Sequence, residues 1–374
     1  MTLKSIIPVK DVRTYEGRFK VQLDIPEGST LSEADIQKVL AVSSWDVYPP
    51  TVVDGFEGNR SVLVRRERPY HKKGMNFDRL QVSGIGHRGW EFSGMVNLVS
   101  DNADFFEPSD KNFMAQISDP AGFATKYFSG GKPKSTRPSY RATGCYTSTE
   151  LREKVEGTKM IADLGLEKLI IPQVEAYGQY LDLGINTGNF GFIVLSSPDV
   201  PRAMEDLQRK LFALDFDNKS SDERWMLYVK ETFFKLVPLV HGLRELHDEG
   251  YVHLQTHFSN FVTSVGETFL TDWGTCRKLD GVDVDDFANR VYDIKKPLDT
   301  VITLYDSLFP EIEFQVSKMN FMLDYFGWLL SVYSGTNLEM EKVVGATVNF
   351  TGESNPTFLD IGRVWLMSSG IGRS

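Results

Sequence analysis

Asn260 and Asp272 flank a predicted hairpin whose strands run over about 260–264 and 267–271 and meet at Val265-Gly266. A hairpin brings its two outer ends together, so an amide oxygen and a carboxylate would share one end of two adjacent strands. Paired hard oxygens of this kind suit magnesium, which protein carboxylates and substrate phosphates hold jointly. One chemistry such a pair could serve is that of phosphate groups on a metal ion. Phosphoryl transfer asks a protein to hold phosphates, place metal and orient the nucleophile. For the last task, the run His253-Leu254-Gln255-Thr256-His257-Phe258-Ser259-Asn260 offers Gln255 and His257. A glutamine can orient a hydroxyl by hydrogen bonding but cannot take its proton as a carboxylate would. His257 has an alternative reading as a surface histidine of no consequence.

The elements that must position these residues can be read from periodicity. Upstream, Trp225, Val229, Phe233, Leu236, Val240, Leu243 and Leu246 form one stripe of a long helix over 222–249, closed by Gly250. Downstream, helices are predicted over 283–308, 311–334 and 337–343. The first half alternates in the manner of strands, for example over 19–25, with one helix opened by Ser32. A second helix is predicted from Ser148 to Leu164, followed by strands at Lys168–Ala176 and Phe190–Leu195. Gly84-Ile85-Gly86-His87-Arg88-Gly89 matches G-x-G-x-x-G, a spacing that can cradle phosphates and that also arises by chance among 31 glycines. Arg65, Arg66, Arg68, His71, Lys72 and Lys73 form a basic run, read as a solvated edge strand and loop or as a polyanion site.

Residues 239–274 resemble the catalytic and metal-binding loops of the protein-kinase-like superfamily. Leu243-x-x-Leu246-His247-x-x-Gly250-Tyr251-Val252-His253 follows the helix end and strand that enter the catalytic loop. His253 to Asn260 keeps the length of H-x-D-x-x-x-x-N, and Asp272-Trp273-Gly274 stands where kinases have Asp-Phe-Gly. The variant H-x-D-x-H-x-x-N of aminoglycoside and choline kinases is similar except at Gln255. The resemblance implies ATP and Mg2+ as cofactors, Asn260 and Asp272 as metal ligands, and His253 as a packed scaffold residue. It further implies a lysine–glutamate pair on the phosphates, for which Lys126 and Glu156 are the candidates. Glu150 and Glu153 are alternatives to Glu156, and Lys132 and Lys134 to Lys126. A looser resemblance, to selenoprotein O-type AMP transferases, makes Arg141 a phosphate ligand. Gly84, Gly86 and Gly89 would be further cofactor contacts. Only about nine residues, Thr275–Asp283, separate Gly274 from the next helix, and no Ala-Pro-Glu-like motif follows. Both features point away from a peptide-docking signalling kinase.

Composition bounds the rest. A net charge of −10 across 374 residues argues against nucleic-acid binding. No signal-peptide core or 18-residue apolar window is present, so neither export nor a membrane span is expected. The two cysteines, Cys145 and Cys276, fit a reducing, cytoplasmic setting. The expected architecture is α+β: an N-terminal α+β extension over 1–75, a β-rich kinase-like lobe with one helix over 76–198, and a helical lobe over 199–374. The expected function is an atypical transferase moving a phosphoryl or adenylyl group to an unidentified protein or small-molecule acceptor. The alternative is a pseudokinase that senses nucleotide or binds a partner.

Overall fold

The structure, a computed structural model, describes residues 5–17, 20–44, 61–85, 146–181, 190–215, 218–264, 266–279, 284–308, 316–335 and 361–362. In chain order the elements are β1 (Val9–Glu16), β2 (Lys20–Pro26), α1 (Glu33–Ser43), β3 (Ser61–Lys72), β4 (Met75–Ser83), β5 (Tyr146–Thr147) and α2 (Ser148–Ala162). These are followed by β6 (Leu169–Ile170), β7 (Val174–Tyr180), β8 (Phe190–Ser197), α3 (Ala203–Ala213) and α4 (Ser221–Asp248). The remainder is β9 (Tyr251–Val252), β10 (Phe261–Ser264), β11 (Glu267–Leu270), β12 (Arg277–Lys278), α5 (Val284–Leu308) and α6 (Val316–Ser334). The protein is thus mixed α+β. Among the described residues no helix is long and apolar enough to cross a membrane.

Two compact units divide the chain: residues 1–160 with 172–199, and residues 161–171 with 200–374. The first is built on an antiparallel sheet of order β1-β2-β7-β8-β4-β3, with β5 pairing β8 beside that path. The boundary expected near residue 75 falls within the β3–β4 hairpin, whose turn places Lys73 and Gly74 at φ 45° and 70°. Two consecutive positive φ values make a tight hairpin turn rather than a domain linker. Strands from the first 75 residues are therefore integral to this sheet.

Helix α1 starts as its sequence predicts. The Ser32 side chain accepts from the Asp35 N–H while the Asp35 carboxylate accepts from Ser32, a reciprocal cap. Asp35 also accepts from the Glu67 backbone N–H at 2.7 Å, tying α1 to β3. The basic run divides on β3, whose register against β4 shifts between Arg65 and Tyr70. Arg65, Arg68, His71 and Lys72 are exposed on β3, at the sheet edge, whereas Arg66 turns inward. Its guanidinium meets Glu175 of β7 at 2.8 Å, both side chains wholly inaccessible to solvent, and lies 4.9 Å over the Tyr70 ring. Glu175 also accepts from Ser29 Oγ, Thr30 N and Thr30 Oγ1, which fixes the segment entering α1.

In the second unit, Leu236, Leu239, Val240, Leu243 and Leu246 of α4 are buried against α5, α6 and the β10–β11 hairpin. The predicted strand Lys168–Ala176 is two strands. Pro172, which has no N–H to donate, stands between β6 and β7. β6 pairs in parallel with β11, and β7 enters the sheet of the first unit. Leu169 of β6 packs against Gly242 of α4, where an added Cβ would lie 2.4 Å from Leu169 Cδ2. Gly242→Ala is therefore expected to cost about 1–3 kcal/mol through overpacking, measured as a lower urea midpoint with unchanged slope.

Candidate functional site

The site grows from two nested antiparallel pairings. β9 pairs with β12, Tyr251 opposite Lys278 and Val252 opposite Arg277, so the chain leaves and re-enters at one place. Within that closure β10 pairs with β11 from Phe261–Leu270 to Ser264–Glu267. Asn260 and Asp272 stand just beyond the open end of the inner hairpin. Thr271 N donates to Asn260 O at 2.9 Å, extending the ladder by one step. The hairpin expected from sequence thus brings the two residues to one end.

His253 organises the loop between these pairings. It is fully buried and lies edge-on to Trp273, with ring centroids 4.5 Å apart. Gln255 N donates to its Nδ1 at 3.1 Å, so Nε2 carries the proton and donates to Thr271 O at 2.7 Å. Burial lowers its pKa, consistent with this neutral tautomer. Thr275 Oγ1 donates to His253 O at 2.8 Å, and Trp273 Nε1 to Leu270 O at 2.8 Å. One imidazole therefore joins the start of the loop to the strand end that precedes Asp272.

A residue absent from the sequence reading holds this loop from below. Asp293 of α5 is fully buried, and its carboxylate accepts from His253 N at 2.6 Å, Leu254 N at 2.5 Å and His247 Nε2 at 3.2 Å. Its backbone oxygen accepts from Thr256 Oγ1 at 2.6 Å. The available signal was an acid set among the buried residues Val291, Ile294 and Leu298 of an amphipathic helix. What it binds, backbone amides some forty residues away, leaves no trace in composition.

Two non-glycine residues of the site have left-handed backbones: Leu254 at φ 68° and Asp272 at φ 67°, ψ 48°. An aspartate tolerates this region, but a leucine there is an outlier that its surroundings must impose. For Leu254 the imposing contact is the Asp293 carboxylate on its N–H. Asp272 opens a short 3-10 turn over Trp273–Thr275 without a side-chain capping bond to it.

Asn260 Nδ2 donates to Gln255 O at 2.9 Å and to His257 Nε2 at 3.0 Å. Both amide hydrogens are then used, leaving Oδ1 as the amide's remaining polar atom. His257 accepts here, so its ring is neutral. Burial lowers its pKa, Asp272 opposes that shift and Lys296 adds to it. His257 thereby fixes the orientation of Asn260. Gln255, His257, Asn260 and Asp272 are all half-buried. Cys276, beside them, has its thiol pushed up to about 12 by burial, with the Asp293 charge adding to the shift. It is protonated at neutral pH and unsuited to nucleophilic attack.

Asn260 Oδ1 and the Asp272 carboxylate are hard donors at one hairpin end. Oxygen donors of this kind are the type that magnesium prefers. Among the described residues no group of three or more His, Cys, Asp or Glu could hold a metal alone. A metal ion held by two protein oxygens would need the rest of its coordination from elsewhere.

The other expected site residues lie elsewhere in the chain. Glu156 is exposed on α2, 3.5 Å from Arg152 one turn before it. Behind it Ile161 is buried and Leu164 partly so, whereas Met160 is exposed. Gly84 ends β4 at φ 87°, and an added Cβ would meet the Tyr146 ring at 2.3 Å. That backbone and that close approach account for a glycine there. Lys126, Arg141, Gly86, Gly89, Lys132 and Lys134 lie outside the described residues. Neither a scan of protein-family models nor a sequence search of curated proteins finds a match to this chain.

Proposed function

We propose that this protein is an atypical kinase-like transferase that uses ATP and Mg2+ to move a phosphoryl or adenylyl group without the usual catalytic aspartate. The observation that carries the reading is the nested pairing that sets Asn260 and Asp272 at one hairpin end, with a strained loop held against them by Asp293. Magnesium would supply charge neutralisation of the phosphates. Asn260 and Asp272 would hold it, the former oriented by His257. Gln255 or His257 would place the acceptor hydroxyl. Lys126 and Glu156, with Gly84, Gly86, Gly89 and Arg141, are the proposed nucleotide contacts carried by sequence resemblance. A two-lobed kinase-like arrangement is part of this proposal.

A second reading rests on Gln255. Loss of a general base typically lowers a rate by about 10²–10⁴-fold. A pseudokinase that binds nucleotide and acts through partners would retain the pair and dispense with the base.

Thermal shift separates the possibilities. ATP with magnesium is expected to raise Tm by the amount that ligand linkage sets, and Asp272→Ala should abolish the magnesium-dependent part of the rise. An identical shift in Asp272→Ala would remove that residue from metal binding, and no shift in either protein would remove the nucleotide reading. Transfer of label from α- or γ-labelled ATP then distinguishes adenylyl from phosphoryl chemistry. Binding without transfer of either label favours the pseudokinase.

A further inference from the structure

The hydrogen bonds that end on the Asp293 carboxylate do not begin at His247. His247 Nδ1 lies 2.9 Å from Tyr333 Oη, in the last turn of α6. The Asp293 carboxylate has no hydrogen to give, so His247 Nε2, 3.2 Å from Asp293 Oδ2, must donate. The single ring proton of a neutral imidazole is then on Nε2, and Nδ1 must accept from the Tyr333 hydroxyl. Burial lowers the pKa of His247 and so keeps the ring neutral. The bonds form one chain: phenol, imidazole, carboxylate, backbone amide. His247, Asp293 and His253 are wholly buried and Tyr333 nearly so, which leaves water little part in the chain.

Tyr333 is itself held in place. Arg244 of α4 donates to its backbone oxygen at 2.9 Å and lies 5.4 Å over its ring. The ring tilts against His247 with centroids 5.6 Å apart. Removing the hydroxyl alone would leave this packing intact while leaving His247 Nδ1 buried without a donor. The ring would lose a bond that sets its angle toward Asp293, whose carboxylate takes one of its three N–H donors from it.

We infer that Tyr333 is a positioning residue for the candidate site, acting from α6 through the orientation of the His247 ring and of Asp293 on the backbone of His253 and Leu254. Its bearing on nucleotide chemistry rests on the proposed function, whereas its bearing on the loop does not. The test is native-state hydrogen exchange on the full-length Tyr333→Phe protein, with urea unfolding measured in parallel.

The His253 and Leu254 amides should exchange about three- to tenfold faster beyond any change shared with the whole protein, the loss of about one net hydrogen bond. Amides of β10 and β11 should follow global stability alone. Acceleration shared equally by all amides would overturn the inference, because it would show a purely structural tyrosine. His247→Gln provides the second variant, since its amide N–H can serve Asp293 without help from Tyr333. In that background, Tyr333→Phe should have no further local effect, and an undiminished effect would also overturn the inference.

If wild-type protein gives a magnesium-dependent ATP shift, Tyr333→Phe should raise the magnesium concentration for half-maximal shift about threefold or more, on the same hydrogen-bond scale. If the wild type gives none, the functional reading fails, and the exchange measurements still decide the role of Tyr333.

Discussion

Asp293→Ala is expected to destabilise the protein by about 3–5 kcal/mol, enough to unfold a domain of ordinary stability. Alanine removes the acceptor for His247 Nε2–H, His253 N–H and Leu254 N–H together, with His247 and His253 wholly buried. Each stranded donor costs about 1–3 kcal/mol, and the left-handed backbone at Leu254 loses the contact that imposes it. The bond from Thr256 Oγ1 to the Asp293 backbone oxygen survives the substitution, so the loop is loosened rather than released. Asp293→Asn should fall between wild type and alanine, because an amide keeps one acceptor oxygen and turns a donor toward another donor. Asn260→Ala supplies the contrast: it is half-buried and should cost under about 1.5 kcal/mol, near one net hydrogen bond. Urea unfolding of the three variants reads all of this. A midpoint for Asp293→Ala equal to that of wild type would refute the idea that the loop hangs on this carboxylate.

Glu175→Leu is expected to cost a comparable 3–5 kcal/mol, for a different reason. The leucine would strand the Arg66 guanidinium, which is fully buried and whose Nε already lacks a hydrogen-bond partner. It would also orphan Ser29 Oγ, Thr30 N and Thr30 Oγ1. Arg66→Met should cost less, because those three donors still satisfy the carboxylate. The double variant should recover much of the loss, since exchanging both charges for apolar groups removes the desolvation penalty along with the attraction. A double-mutant cycle in urea measures the coupling. Additive costs would mean that the two charges are independently solvated and the buried pair is not the determinant of stability.

The local part of the site was readable because its spacing is local. Asn260 and Asp272 meet through a four-residue β-ladder, and turn chemistry at Gly266 specifies that pairing. Helix α4 was readable because its apolar stripe is long and Gly250 marks its end. Asp293 was not readable in its role. A helix pattern reports which residues face inward but not which distant amide a carboxylate will meet. The strand at 168–176 was misread for a related reason. Alternation shows that residues are extended, but it does not name their partners, and a proline in mid-run sends the two halves to different sheets. At residue 75 the error ran the other way, with a tight hairpin turn taken for the end of a domain. Arg66 shows the same limit: in sequence it is one of six basic residues, and even Arg68 and Lys72, which share its parity along the strand, are exposed.

The excursion of residues 161–171 into the second unit has consequences for how the protein is made and inherited. Leu169 and Ile170 leave the ribosome about a hundred residues before Thr268 and Phe269, the residues beside which they will lie. At ~5–20 residues per second that strand edge waits about 5–20 s for its neighbour, a window in which chaperones or other nascent chains can reach it. The gene inherits the same dependence. A recombination breakpoint before Val200 would carry away α4 and β11 without the residues that pack against Gly242 and pair with Thr268. The two units are therefore bound to be transmitted together, as one unbroken reading frame.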